Sequence, residues 1–358
     1  MTPTSDLHEL GQSLWIDNIT RTMLDDGTLE RYIDELDVTG LTSNPTIFDN
    51  AIGAGTAYDE QITELQGQGL EGEQLFFELA LADLHRVAKM FEPINERTDG
   101  VDGRASLEVS PLLADDAPKT IEQVAKLWSR SAENMFIKIP GTEAGRKAIE
   151  ESIYSGTPVN VTLLFSADHC LGAADAYMRG LERRIEDGKN PDVHSVASLF
   201  VSRWDKKVSD TVPDELRDKL GLAIGKRAYR EYRELLASER WQRLENEGAR
   251  PQRLLWASTG TKDPDASDVL YVEGLAAPLT VNTMPDKTLL AFADHGKVGQ
   301  SLPEDGGDAE EVLASFGEAG FDVDEIAEQL QQEGKESFNK SWKDLLDTID
   351  SKREKLAA

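Results

Sequence analysis

The chain has 358 residues, 39% hydrophobic and 29% charged, with a formal net charge of −29; this is the composition of a globular protein with a buried core and an acidic surface. So large an acid excess argues against nucleic acid and anionic membranes as partners, and no apolar run reaches the length of a membrane span. One cysteine, Cys170, excludes an internal disulfide framework and a cysteine zinc cluster, and the stretch from Met1 to Gly11 has neither the basic nor the apolar region of a secretory signal, so a cytoplasmic location is expected.

In chain order, short β-like runs alternate with longer helical patterns. Strands are expected over residues 14–19, 38–44, 105–110, 135–140, 159–165, 195–202, 253–259 and 280–285. Helical spacing fills the gaps over residues 23–36, 73–91, 120–133, 144–154, 167–187 and 213–239. Alternation of this kind predicts a parallel sheet. Eight units predict an α/β fold of a single (β/α)8 TIM barrel with additional C-terminal helices. An open doubly wound sheet fits less well, because no Gly-rich dinucleotide fingerprint follows a strand. The whole chain, 1–358, is expected to be one domain, with the barrel over about 12–300 and the tail helices over about 304–355 packed on its outside. The run Lys226, Arg227, Arg230, Arg233 is basic at helical spacing and reads as a solvated helix face.

Period-2 alternation assigns inner faces to the strands. Asp17 opposes the aliphatic residues before it, and Thr42 and Asn44 share a face at the end of the second run. Glu108 opposes Leu107 and Val109, and Lys138 opposes Ile137 and Ile139. Asn160 and Thr162 oppose Val159, Val161 and Leu163; Ser198 sits between Ala197 and Leu199, and Ser258 follows Ala257. With the aliphatic residues covering the outside, these polar groups point inward. Burying one such group unpaired costs about 1–3 kcal/mol, and a barrel selected for stability alone would place Val, Ile or Leu there.

The types of residue define a chemistry. Burial disfavours the ammonium form of a lysine, and a neutral amine attacks a ketone to give an iminium. The iminium withdraws electrons, so the neighbouring C–C bond can break, while carboxylates carry protons to and from the carbinolamine and a sugar hydroxyl. Lys138 with Asp17 and Glu108 supplies those parts. Each also has a structural alternative: an edge position for Lys138, a helix cap for Asp17, an ion pair to Lys138 or Arg104 for Glu108.

Six segments in order resemble the strand motifs of transaldolase: Leu14-Trp15-Ile16-Asp17, Gly40-Leu41-Thr42-Ser43-Asn44-Pro45-Thr46, Ser106-Leu107-Glu108-Val109-Ser110, Ile137-Lys138-Ile139-Pro140-Gly141-Thr142, Val159-Asn160-Val161-Thr162-Leu163-Leu164-Phe165-Ser166 and Ser198-Leu199-Phe200-Val201-Ser202-Arg203. The resemblance runs from about Leu14 to His295. It implies a class I aldolase-type barrel of the non-oxidative pentose phosphate pathway that needs no metal and no organic cofactor. The implied reaction moves a dihydroxyacetone unit reversibly from sedoheptulose 7-phosphate to glyceraldehyde 3-phosphate, giving erythrose 4-phosphate and fructose 6-phosphate. Carried over, Lys138 is the Schiff-base nucleophile and Asp17 handles the proton of the hydroxyl that becomes the aldehyde. Glu108 is acid and base through a water held by Thr162. Asn44, Thr42, Asn160 and Ser198 bind the dihydroxyacetone moiety, Phe200 shapes the wall and Arg203 binds phosphate.

The sequence departs from the family pattern at one place. Members commonly carry a second phosphate-binding arginine after the Ala-Ser pair of the seventh strand, whereas here Ala257-Ser258 is followed by Thr259-Gly260-Thr261-Lys262. Lys262, with loop N–H groups and Ser258, is the expected substitute. The expected partners are sugar phosphates, and the reading leaves a homodimer open. Two competing functions share most of these parts: an aldolase that releases free dihydroxyacetone, distinguished by whether an acceptor aldehyde is needed, and a non-catalytic phosphosugar-binding barrel, which would have no need of Lys138 together with both carboxylates.

Overall fold

The computed structural model describes residues 2–357; Met1 and Ala358, the end residues of the expected single domain, lie outside the described residues. Eight parallel strands close into a barrel in sequence order: β1 (Gln12–Ile16), β2 (Val38–Leu41), β3 (Arg104–Glu108), β4 (Met135–Pro140), β5 (Val159–Leu164), β6 (Ser195–Phe200), β7 (Gln252–Ala257) and β8 (Thr280–Met284), with β8 pairing back onto β1. Helices follow the strands, and the architecture is the expected (β/α)8 barrel with C-terminal helices.

The register fixes which residues meet. Glu108 on β3 is level with Lys138 on β4, and Lys138 with Asn160 on β5. Trp15 on β1 is level with Thr283 on β8. The alternate residues Leu14, Ile16, Ile137, Ile139, Val159 and Val161 are fully buried beneath the helices, and each such burial is worth about 1.5–3 kcal/mol relative to exposure. Alternation also brings two large rings inside. Trp15 shares the face of Asp17 and stacks on Phe136 at 6.1 Å. Gly40 on β2 makes room for it, since a Cβ there would sit 2.5 Å from the indole.

Some helices follow local chemistry that periodicity overlooks. The pattern over residues 23–36 is two helices, Arg21–Asp25 and Thr28–Leu36, broken at Gly27 with φ of 77°. The pattern over 213–239 starts late, at Leu220, because Pro213 opens a short 3-10 turn first. Helices Pro45–Gly53, Asp59–Gly67 and Asp286–His295 lie where no helix is predicted. Among the described residues, no helix is long and apolar enough to cross a membrane.

The tail forms two helices, Ala309–Glu318 and Val323–Ala357. The basic run is not a solvated face. Lys226 pairs with Asp308 at 2.6 Å, Arg227 with Glu310 at 2.6 Å and Arg233 with Glu304 at 2.6 Å, clasping the helix Leu220–Ala237 to the tail. Partly exposed pairs contribute little each, about 0.2–1 kcal/mol; burial of Leu313 and Phe316 does more. The terminal helix also departs from the expected outer packing. It lies against the helices that follow β2, the turn Pro111–Leu113 after β3, β5 itself and the helix Ser202–Val208 after β6. It therefore crosses the C-terminal mouth of the barrel.

Candidate active site

A cavity of about 240 Å³ opens at that mouth. The barrel contributes Asp17, Thr42, Lys138, Thr162, Ser198, Phe200, Ala257 and Thr283 to it, all late in their strands or just beyond. Loops and helix starts add Asn44, Arg203, Ser258 and Lys262, and the terminal helix adds Ser337 and Phe338. This is the end at which barrels of this kind assemble reactive groups.

Lys138 is 5% exposed, and its Nζ donates to the Ser43 carbonyl at 3.2 Å. The same Nζ lies 3.2 Å from Oε2 of Glu108 as an ion pair. The angle there is not that of a hydrogen bond, so neither Glu108 oxygen has a hydrogen-bond partner. Burial pushes the Glu108 carboxyl above the ordinary carboxylate range, Lys138 opposes that rise, and Asp17 adds to it. Burial likewise raises the Asp17 carboxyl against the pull of Lys138 and of Thr42. Thr42 Oγ1 donates to Asp17 Oδ1 at 2.7 Å and meets Thr283 Oγ1 at 2.7 Å, so Thr283 is left to donate to Thr42. Two carboxyls shifted upward beside one amine are groups suited to taking up and releasing protons during a reaction.

The sequence-expected residues separate into two layers. Asn160 is fully buried below the cavity, where its Oδ1 accepts from Ser198 at 2.7 Å and its Nδ2 donates to Ser106 at 3.1 Å. Glu108 is also set back from the cavity wall and reaches the site through Lys138. Asn44 caps the helix Pro45–Gly53, its Oδ1 accepting from the Ile47 N–H at 3.1 Å, which leaves its amide nitrogen for the cavity it lines. Thr162 has a buried hydroxyl without a partner. Strand phase places Leu255 and Ala257, level with Ser198 and Phe200, on the inner face. Ser258 gets to the cavity because β7 has ended and its φ is 56°; its hydroxyl meets Ser202 at 2.9 Å.

Next to Thr162 the β5 ladder is irregular and Leu163 has φ of 59°, a conformation that costs about 1–2 kcal/mol for a residue with a Cβ. The terminal helix pins this kink: Gln331 Nε2 donates to the Leu163 carbonyl at 2.9 Å. Phe338 of the same helix lies 5.8 Å from Lys138 Nζ and 6.4 Å from the Phe200 ring.

At the rim the field reverses. Arg203 and Lys262 both line the cavity, and neither is within ion-pair distance of a carboxylate among the described residues. Burial, then the nearby Arg203 and Lys206, hold Lys262 below the ordinary ammonium range. In a chain of net charge −29, two cations left without carboxylate partners have the charge and hydrogen-bond donors that suit an anion. Sequence reasoning overlooked Thr283, Ser337 and Phe338. Thr283 carried a usable signal, a polar residue late in the eighth strand. Phe338 carried none, since an aromatic at helical spacing reads as core.

Comparison with known proteins gives one consistent answer. The family description "Transaldolase/Fructose-6-phosphate aldolase" matches residues 14–349. A transaldolase of Parafrankia sp. (strain EAN1pec) is 43% identical over 357 residues, covering 97% of this chain and 97% of the relative. A transaldolase of Mycobacterium ulcerans (strain Agy99) is 42% identical, covering 98% and 97%, and one of Thermobifida fusca (strain YX) is 42% identical, covering 97% of both.

Proposed function

The chain belongs to the transaldolase/fructose-6-phosphate aldolase family, and from that premise we propose how its cavity carries out the transfer of a dihydroxyacetone unit between sugar phosphates. The Lys138 amine adds to the ketone carbon of the donor ketose. Glu108, 3.2 Å from Nζ, gives the proton with which the carbinolamine oxygen leaves as water, and the iminium forms. Asp17 takes the proton of the hydroxyl one carbon beyond the scissile bond. That C–C bond breaks, its electron pair moves into the iminium to give an enamine, and the aldose leaves. The enamine then adds to the carbonyl of an acceptor aldose, Asp17 returns the proton, and water activated by Glu108 and held by Thr162 hydrolyses the new iminium.

Thr42, Asn44 and Ser198 hold the hydroxyls of the dihydroxyacetone unit, with Asn160 orienting Ser198 from below. Phe200 walls the carbon chain, and Arg203, Lys262 and Ser258 receive the phosphate. A cytoplasmic location goes with sugar phosphates as substrates.

The observation that carries this reading is a buried lysine facing a carboxylate in a cavity whose rim presents cations without carboxylate partners. Borohydride reduction in the presence of fructose 6-phosphate tests it. A covalent adduct on the peptide containing Lys138 is expected; an adduct on another lysine, or none, overturns the assignment. The same assay run with and without erythrose 4-phosphate separates transfer from release: turnover should depend on the acceptor.

A further inference from the structure

Beside Glu108 lies a small chamber of about 10 Å³ whose lining includes Ser43, Asn44, Leu107, Glu108, Phe76 and Trp342; Asn44 also lines the substrate cavity. That is about the space of one water. Glu108 is 4% exposed and Trp342 is 1% exposed, and both Glu108 oxygens and the Trp342 Nε1 have no hydrogen-bond partner. Oε2 of Glu108 keeps its ion pair to Lys138, which leaves two buried polar atoms without any polar partner, Glu108 Oε1 and Trp342 Nε1, on two residues that share one chamber; they call for a common explanation, because buried donors and acceptors are almost always satisfied. The indole is not free to turn elsewhere. Phe76 meets it edge-on at 5.1 Å and Phe77 at 5.8 Å.

We propose that this chamber binds a single water that accepts from Trp342 Nε1 and donates to Glu108, making Trp342 a positioning residue for the acid–base carboxylate. The second proton of the water has an acceptor in Ser43 Oγ, which donates its own hydrogen to the Ser106 carbonyl at 2.8 Å and keeps its lone pairs. Polar partners of that number suit a structural water. The terminal helix thereby acts on the chemistry as well as covering the mouth. Donation toward the carboxylate favours its ionised form, the one that activates water for iminium hydrolysis. The other charged groups facing Glu108 are Lys138 from β4 and Asp17 from β1; the terminal helix sends it no charge, only the indole. The consequence for catalysis rests on the acid–base role proposed for Glu108, whereas the water link does not.

The test is an indole ¹H–¹⁵N spectrum of the full-length protein across pH. The chain has six tryptophans, and Trp342→Phe assigns the relevant signal. That signal should titrate in the wild type and lose its titration in Glu108→Gln. Trp342→Phe should lower kcat about fivefold with KM little changed, and move the acid limb of the kcat profile to higher pH. A Trp342 signal that is flat with pH and unchanged in Glu108→Gln overturns the proposal. If Trp342→Phe does not fold, the signal is identified in the wild type by its contacts with the Phe76 ring, and Glu108→Gln alone decides. An indole that titrates in a protein lacking transfer activity would leave the water link standing and remove the catalytic assignment instead.

Discussion

The barrel interior holds two buried polar clusters, one at each end, and they are built to opposite rules. At the N-terminal end Asp102 accepts from Ser13 at 2.7 Å, from Arg253 at 2.9 Å and from Trp15 at 3.3 Å, while Arg253 also donates to Ser13 and to the Val101 carbonyl, both at 2.7 Å. Burial alone would raise the Asp102 carboxyl, but these partners outweigh it and hold it below the ordinary range. Nearby, burial and the charges of Arg104, Arg250 and Arg253 push His194 down to about 3, so it stays neutral. At the C-terminal end Glu108 and Thr162 are also buried, yet their side-chain oxygens have no hydrogen-bond partner, and the Glu108 and Asp17 carboxyls are both shifted upward. A satisfied polar cluster stabilises a fold; one left unsatisfied is reserved for something that arrives later.

Two arginines put the largest effects on this contrast. Arg253 has its partners inside the protein, so Arg253→Met should cost about 3–5 kcal/mol in urea unfolding while leaving kcat per folded molecule unchanged. Lost activity at unchanged stability would show that the lower cluster is not structural. Arg203 has no carboxylate partner to lose. Arg203→Ala should leave the unfolding midpoint in place and raise KM for phosphorylated substrates about ten- to hundredfold, the worth of one or two hydrogen bonds to a charged group. Lys262→Ala should follow the same pattern more weakly, by about three- to tenfold, fading as salt is added because the charge sits at the rim of the cavity, where salt screens it. If Lys262→Ala has wild-type kinetics, the second phosphate contact lies elsewhere.

Thr162 sharpens the contrast within the upper cluster. Its hydroxyl is buried and unpartnered, so Thr162→Val removes an unsatisfied group from a nearly isosteric position. Stability should stay level or rise by up to about 1 kcal/mol, and kcat should fall about tenfold through loss of the water it orients. A drop in stability would mean that the hydroxyl is paired after all.

Much of this could be read from residues alone, and what could not has physical reasons. The eight strands were legible because their aliphatic residues alternate with Asp17, Glu108, Lys138 and Thr162, and alternation is a local property. The ends of the strands were less so: runs over 38–44 and 195–202 were read too long because Asn44 and Ser202 belong to the following helices. The contribution of the tail was hidden. Phe338 and Trp342 obey the same helical spacing as Leu345 and Ile349, and only packing shows that the first two face Lys138 and Glu108. Asn160 and Ser198 looked equivalent from alternation, but one rung of register puts Asn160 beneath the cavity and Ser198 in its wall.

The smallest expected effect bears most directly on the contrast between the two ends. A carboxyl whose pKa is raised on folding binds more protons in the native state between its unfolded and folded values. Stability then falls as pH rises through that window and stays lower above it. Glu108 is such a group; Asp102, lowered on folding, is the reverse, with stability present above the unfolded value and lost as pH falls through the folded one. Glu108→Gln gives up the ion pair to Lys138 but keeps the shape and removes a charge that burial disfavours more strongly than Lys138 favours it. At neutral pH it should be more stable than the wild type, while transfer activity falls by about two orders of magnitude or more. The stability gain should vanish as pH drops toward the ordinary carboxylate range, where the wild-type Glu108 is itself protonated. Asp102→Asn should behave in the opposite sense, costing stability at neutral pH and costing progressively less in acid. Paired urea titrations of both variants between neutral and acidic pH read the two slopes directly. Slopes of the same sign would mean that the two clusters are one kind of structure, and that the polar upper interior is no more reserved for a substrate than the lower.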